Sequence, residues 1–332
     1  MAGATPENEA PAAPSGSRAS DRPLAKLAVA VVSWNTREHL RRCLASVEAE
    51  GAEEVVVVDN ASSDGSPAMV RAEHPRVRLL ANPGNTGYGA AANQAVTACT
   101  APYVLLLNAD TRVCTGSLAA LAEHLDRHPG AGLVGPRLLN PDGTLQVSCQ
   151  PLPTPLHTLL ADSPLWRIVP HVPVLRRRSL YGWSHDRARV VPWVKGAALA
   201  IRRAAFEEVG GFDPAFFLYY EEVDLCHRLA GAGWTIHFAP AAEVVHVGGA
   251  STVQDRAAMA AQRFAGTMQY YRRHYSGAAL ARGLLAVRAI VLGRWIRDTV
   301  RFLVARDAAR RAALRADATG WGRVLTGRGR GA

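Results

Sequence analysis

The chain reads as an α/β protein built on a doubly wound, mostly parallel sheet. Three features predict this fold. Val-rich runs carry no polar interruption, as in strands buried on both faces. Segments with apolar residues at helical spacing alternate with them at short intervals. Polar residues recur at the carboxyl ends of the runs, where open α/β sheets bind ligands.

LAVAVVSW (27–34) is the first such strand. Asn35 or Thr36 is placed to cap the helix REHLRRCLASVEAE, in which Leu40, Leu44 and Val47 recur on one face. EEVVVVDN (53–60) is a second strand ending in Asp59-Asn60, and RVRLLAN (76–82) a third. NPGNTGYGAAANQAVTAC gives a Gly-rich loop and an Ala-rich helix. APYVLLLNAD supplies a fourth strand ending in Asn108-Ala109-Asp110. TGSLAALAEHLDRHP is a helix and AGLVGPRLL a strand. Residues 150–192, rich in Pro and Arg, have little periodicity and read as an irregular excursion. Order returns with a strand at 191–203, a short helix AAFEEVGGF and an amphipathic helix within 219–234. WTIHFAP and AEVVHVGG read as two short strands, and a long helix over about 255–275 follows.

Composition bounds the rest. At 332 residues and 48% hydrophobic content, the chain is long enough for one large core plus an appendage. Residues 1–22, rich in Ala, Pro, Ser and Gly, read as a disordered arm without the apolar stretch of a signal peptide. The five cysteines are scattered with no CxxC pair, which argues for free thiols in a reducing compartment rather than a disulfide framework or a zinc site. Residues 272–332 hold fourteen Arg against three Asp and no Lys or Glu. That balance of +11 leaves −1 for the rest of a chain whose net charge is +10. The expected organisation is an arm (1–22), a catalytic domain (23–275) and a basic helical tail (276–332).

The motifs VSWNTREHL, VVVVDNASSDGS, NPGNTGYGAAANQA, LLLNADTRV, VKGAALAIRRAAFEEVGGFDPAFFLYYEEVDLCHRLAGAGW and VVHVGGAS occur in that order. Together they resemble the inverting glycosyltransferases of family 2, which have the GT-A fold, in the rhamnosyltransferase-like branch. The resemblance covers roughly residues 27–275. It implies a nucleotide-sugar donor, most specifically dTDP-L-rhamnose, and an acceptor hydroxyl on a cell-surface polysaccharide or lipid-linked glycan. The family's nucleotide pocket maps onto Trp34, Asn35, Asp59, Asn85, Gly87 and Asn93. Its DxD motif falls on Asn108-Ala109-Asp110, so Asp110 is implied as a ligand of Mg2+ or Mn2+, with His246 able to complete the sphere. Asn108 replaces the acidic first position and can hydrogen-bond the nucleotide or a metal-bound water. The family's acidic motif falls on Glu221, Glu222 and Asp224, with Glu222 as general base and Arg228 one turn beyond to pair with Asp224. Trp193 and Gly196 match the acceptor-side segment, with Lys195 between them.

Read without the resemblance, Trp34 packs in the core, His246 is a hydrogen-bonded strand histidine, Lys195 is a surface lysine and EEVD is a solvated helix face. The aromatic FFLYY immediately upstream argues against the last. A catalytically silent nucleotide-sugar-binding relative, or a scaffold in a glycan assembly, would carry the same motifs. In the tail, residues 278–305 mix apolar runs with Arg. At 100° per residue, Arg282, Arg294, Arg297 and Arg301 fall within about 120°, which suggests a helix lying on an anionic membrane surface. A helix packed on the catalytic domain or in a homo-oligomer interface is the other reading. Few aromatics interleave with the arginines, so no nucleic-acid partner is expected. The expected location is cytoplasmic, peripheral at the inner face of the cell membrane.

Overall fold

A computed structural model of the protein describes residues 23–161, 171–172, 180, 183–248 and 256–326. The expected arm at 1–22 lies outside the described residues. A 3-10 turn leads into β1 (Leu27–Ser33), α1 (Arg37–Ala49), β2 (Val55–Asp59), α2 (Ser66–Glu73), β3 (Arg78–Ala81), α3 (Tyr88–Ala98) and β4 (Tyr103–Asn108). Then come β5 (Thr111–Val113), α4 (Ser117–Arg127), β6 (Ala131–Leu139), β7 (Leu145–Gln146), β8 (Cys149–Gln150) and α5 (Pro155–Ala161). The chain continues through β9 (Arg189–Val190), β10 (Trp193–Val194), β11 (Ala198–Arg202), α6 (Arg203–Glu208), α7 (Glu221–Gly231) and β12 (Thr235–His246). Three helices close it: α8 (Arg256–His274), α9 (Gly277–Val304) and α10 (Ala308–Leu325).

The main sheet runs β3-β2-β1-β4-β11-β6-β12-β5. Strands β1 to β4 pair in parallel, as do β6 and β12, while β11 inserts antiparallel between β4 and β6. The order reverses at β1, whose two neighbours are β2 and β4. A crevice therefore opens beyond the carboxyl ends of these strands, the position ligands take in such sheets. The register sets Ser33 opposite Asp59 and Val32 opposite Asn108, so the polar strand ends share one level.

Alternation along each strand feeds two cores. Val29 and Val31 of β1 join Leu40, Leu44 and Leu121 on one face, whereas Ala28, Ala30 and Val32 join Ala91, Ala92, Ala95 and Phe212 on the other. A third cluster links Phe216 and Val223 with Phe264, Tyr270, Tyr271, Val287, Val291 and Trp321. The tail thus packs against the domain, and one apolar cluster runs across the expected boundary at residue 275.

Several elements differ from expectation for identifiable reasons. The 191–203 run breaks into β10, which pairs with β8 in a separate two-stranded sheet and continues in the Lys195 amide's bond to the Ser148 carbonyl, and β11, which enters the main sheet. WTIHFAP and AEVVHVGG form one strand, β12, with an irregularity between Ala239 and Glu243. The excursion at 150–192 contains α5, held by a 2.7 Å hydrogen bond between Thr158 and Tyr271. Thr36 occupies the cap position of α1, but its hydroxyl pairs with Ser33. The Arg37 amide is instead capped at 2.8 Å by Asp64, whose other oxygen caps Ser66 of α2. One carboxylate therefore serves two helix starts.

Candidate active site

The side of the crevice to which the resemblance assigns the nucleotide is built from three loops. Asn35, in a left-handed backbone conformation with φ +50, accepts a hydrogen bond from the Ser63 amide and donates its own amide to the Ser62 hydroxyl. Asp59 is buried; one oxygen accepts from the Ser62 amide at 2.8 Å, while Oδ1 is buried without a partner. An unpaired carboxylate oxygen in such a place costs free energy unless a donor arrives, so Asp59 is set up to accept from a ligand. Trp34 is half-buried and belongs to none of the three hydrophobic clusters of the described residues.

Asn60 is the hub of this region, which the motif reading overlooked. Its amide donates to Asn85 and to the Gly87 carbonyl, and its oxygen accepts from Asn82 and Thr86. Its place in the DN pair at a strand end was the available signal. Asn85 also accepts from the Gly87 amide. Gly87, at φ +83, is needed for a close approach within the protein: a Cβ there would lie 2.6 Å from the Phe217 carbonyl. That carbonyl accepts the Tyr88 amide. Asn93 is held by the backbone of the segment that follows α6. Its amide both donates to and accepts from the Phe212 backbone at 2.8 Å.

On the metal side, Asp110 and His246 come from different strand ends and are both buried. Asp110 Oδ1 lies 3.4 Å from His246 Nε2. Gln146 Oε1 sits 2.7 Å from His246 Nδ1, and the Gln146 amide donates to Asn140 and to the His246 carbonyl. Since Oε1 can only accept, Nδ1 carries a proton and Nε2 is the nitrogen that faces Asp110. A cation seated between carboxylate and imidazole would take one ligand atom from each. With metal–oxygen distances of about 2.0–2.1 Å for Mg2+, adjacent ligands lie about 3 Å apart. The pair fits a divalent cation, and Gln146 orients the histidine as second partners of metal ligands do.

The acidic motif to which the resemblance assigns catalysis lies at the start of α7. Tyr219 and Tyr220 are both left-handed, at φ +68 and +75, a rare conformation for aromatic residues that swings Glu221 and Glu222 into place. Gly266 of α8 makes room for this turn, since a Cβ there would lie 2.6 Å from the Tyr219 carbonyl. Both glutamates have a buried Oε2 without a partner. Burial, and then the charge of Glu222, raise the Glu221 pKa well above the usual carboxylate range. Burial also raises that of Glu222, opposed by nearby backbone amides, including that of Gly196, and by Lys195. Gly196 packs its backbone against the Glu222 side chain.

Lys195 is only partly exposed and donates to Gln146 Oε1 at 3.2 Å. Burial lowers its pKa, while Glu222 and Asp110 both act to raise it. Tyr88, absent from the motif reading, bonds the Gly196 carbonyl; burial and the charges of Glu221, Glu222 and Asp110 push its pKa up. Acidic, metal-side and acceptor-side residues therefore converge on one space. Trp193 anchors this region, donating its indole N–H to the Pro151 carbonyl at 2.8 Å.

Asp224 is the exception among the acidic residues. Fully buried, it is bound by Arg228, Arg273 and His274 at 2.8, 3.0 and 2.8 Å. The expected pairing with Arg228 is present. Its carboxylate joins α7 to α8 through these three partners.

Comparison with known proteins gives a consistent result. The family model for glycosyl transferase family 2 matches residues 28–182, and that for glycosyl transferase family group 2 matches residues 178–305. The N-acetylglucosaminyl-diphospho-decaprenol L-rhamnosyltransferase of Mycobacterium tuberculosis is 34% identical over 291 residues, covering 81% of this chain and 93% of that protein. A mannosyltransferase from Pyrobaculum calidifontis, solved with GDP-Man and Mn2+, is similar with a TM-score of 0.51 at 19% identity. The match covers 90% of this chain and 87% of that one. GalNAc-T7, solved with UDP, GalNAc and Mn2+, gives a TM-score of 0.51 at 19% identity over 68% of this chain and 44% of that one. The fold is GT-A-like, as the motif order implies.

Proposed function

The chain belongs to glycosyltransferase family 2, in its rhamnosyltransferase-like branch, and on that premise we propose that it moves L-rhamnose from dTDP-L-rhamnose, with inversion, onto a lipid-linked or cell-surface glycan. The supporting observation is the convergence of buried Glu221 and half-buried Glu222, each with a buried Oε2 that has no partner among the described residues, on the space shared by Asp110, Lys195 and Tyr88. The mycobacterial relative carries a diphospho-decaprenol acceptor in its name; we extend to this chain only the class, a polyprenyl-diphosphate-linked sugar.

In this reading Asn35 and Asp59 receive the nucleotide, with Asp59 Oδ1 accepting a donor from the base or ribose. Asp110 and His246 would hold Mg2+ or Mn2+, which when bound supplies positive charge to the diphosphate. Lys195 adds a second positive charge on that side. The acceptor hydroxyl gives its proton to Glu222 as its oxygen bonds the anomeric carbon, and the bond from that carbon to the diphosphate oxygen breaks. A raised Glu222 pKa suits a base whose working range lies nearer neutrality than a free carboxylate allows.

The tail supports peripheral membrane contact through a different face from the one its arginines suggest. Arg294 turns inward, over the rings of Phe264 and Trp321, and Arg297 pairs with buried Asp298. The exposed face of α9 is instead apolar: Leu285, Leu292, Ile296 and Leu303 are exposed and fall within about 40° at 100° per residue. Arg282 and Arg288 flank this stripe, about 60° to either side. No described helix is long and apolar enough to cross a membrane. An apolar stripe edged by arginines suits an anionic lipid surface.

The test is a donor screen with Mg2+ or Mn2+ that reads release of nucleoside diphosphate in the presence of a polyprenyl-diphosphate-linked acceptor. Turnover with dTDP-rhamnose is expected. Turnover with another donor alone would move the chain out of the branch and leave the family intact.

A further inference from the structure

A second cluster of metal-binding side chains lies away from the sugar-transfer centre. His124 is on the last turn of α4, His128 follows that helix, and His237 is on β12, near the opposite end of the strand from His246. One ligand nitrogen from each imidazole lies within 4.8 Å of the other two. His124 Nε2 is 2.9 Å from His237 Nδ1. The rings of His124 and His128 stack with centroids 4.2 Å apart, and His237 lies at 5.1 and 5.0 Å from them. We propose that His124, His128 and His237 form a site for Zn2+, or a related late first-row divalent cation, that ties the end of α4 to β12.

Hydrogen bonds around the cluster set the nitrogens for this role. The Thr235 hydroxyl donates its only proton to the Gly130 carbonyl at 2.9 Å, so toward His237 Nε2, also at 2.9 Å, it can only accept. His237 therefore carries its proton on Nε2 and presents Nδ1 as a lone pair. The His128 Nδ1 proton goes to the His124 carbonyl at 2.9 Å, which leaves Nε2 as the nitrogen available to a cation. These are the second partners that fix tautomers in histidine-bound metal sites.

Size and ligand type select the cation. Imidazole nitrogens suit Zn2+, Cu2+ and Ni2+ over Mg2+ or Ca2+. Zn–N distances of about 2.0–2.1 Å separate tetrahedral ligands by about 3.3 Å. The 2.9 Å pair must open slightly, and partly exposed His128 must swing inward to close the third side. In binding, the His124 proton moves from Nε2 to Nδ1, and a water takes the fourth position. No carboxylate joins the three ligands, so the site keeps its full positive charge, unlike the Asp110–His246 pair.

The test uses the full-length protein stripped of metal. Zn2+ is titrated against a chromophoric chelator, and Co2+ is followed by the visible absorption of its tetrahedral complex. Wild type is expected to bind one equivalent at this site, and Asp110→Asn is expected to retain it. His128→Gln, at a partly exposed position beyond a helix end, and His237→Gln are each expected to weaken binding at least about tenfold, and Thr235→Val by about 10–100-fold. Zn2+ should raise the melting temperature of wild type and not of His128→Gln. Absence of stoichiometric binding by wild type would overturn the proposal. So would binding undiminished in both histidine variants, or binding that disappears in Asp110→Asn.

Discussion

Asp110 Oδ1 faces His246 Nε2 at 3.4 Å, while Gln146 holds the other nitrogen of the same ring at 2.7 Å. The pair joins the turn between β4 and β5 to the end of β12, and in the proposed function a cation would sit between the two side chains. Gln146→Leu is expected to raise the metal concentration needed for half-maximal activity by about 10–100-fold, with turnover restored at saturating metal. Asp110→Ala is expected to lose about 10²–10³ in turnover with no restoration, since it removes the charge itself. With one carboxylate and one imidazole, the protein alone should bind Mg2+ weakly and the nucleotide should tighten it. Calorimetry with and without dTDP reads this directly.

Glu221 and Glu222 share a buried corner, and both carboxyls are held above their usual range. A base must be deprotonated to act, so kcat/KM should rise with pH through an apparent pKa above the ordinary glutamate value of about 4.3. Glu222 ionises first and its charge keeps Glu221 protonated, so Glu221→Gln, which leaves that position neutral, should leave the rising limb in place. A limb that moves to lower pH would show that Glu221 carries charge while the base titrates. The same pair opposes stability as pH rises: the folded state holds protons that the unfolded chain releases.

Asp224 has the opposite sign. Burial opposes its ionisation, but the His274 hydrogen bond and the Arg228 and Arg273 charges hold its pKa below 3.8. Its stabilisation is present above the unfolded value and is lost as pH falls through the depressed one. Asp224→Asn leaves the largely buried Arg228 without its carboxylate, while Arg273 keeps Asp213, and should cost about 3 kcal/mol in denaturant melts at neutral pH. Folded Asp224→Asn should retain a pH–rate profile like that of wild type, because the carboxylate does not face the reacting groups.

The apolar stripe on α9 makes a surface prediction. Replacing Leu285, Leu292 and Ile296 by Gln should abolish sedimentation with anionic vesicles while leaving transfer to a water-soluble acceptor analogue unchanged. A wild type that ignores vesicles and elutes as a dimer would assign the stripe to a second copy of the chain.

Much of the fold was legible because strands buried on both faces are continuous Val and Leu runs, as in β1 and β4. Polar residues at their ends located the crevice. Elements governed by distant contacts were not legible: α5 depends on Tyr271, and β12 reads as two strands because its irregularity between Ala239 and Glu243 interrupts the pattern. Among candidate site residues, carboxylates stood out by type, yet type does not reveal direction. Asp224 and Glu222 are two residues apart on one helix, and the strained Tyr219–Tyr220 turn and Gly266 decide which of them meets the crevice. Gln146, Tyr88 and Asn60 escaped notice because their roles arise only when separate segments meet.

The most direct measurement compares Glu222→Gln with wild type for transfer from dTDP-rhamnose, with dTDP affinity determined on the same samples. Loss of a general base should lower turnover by about 10²–10⁴-fold, with nucleotide affinity unchanged. Turnover within a few-fold of wild type would contradict the assignment of Glu222 and with it the proposed mechanism.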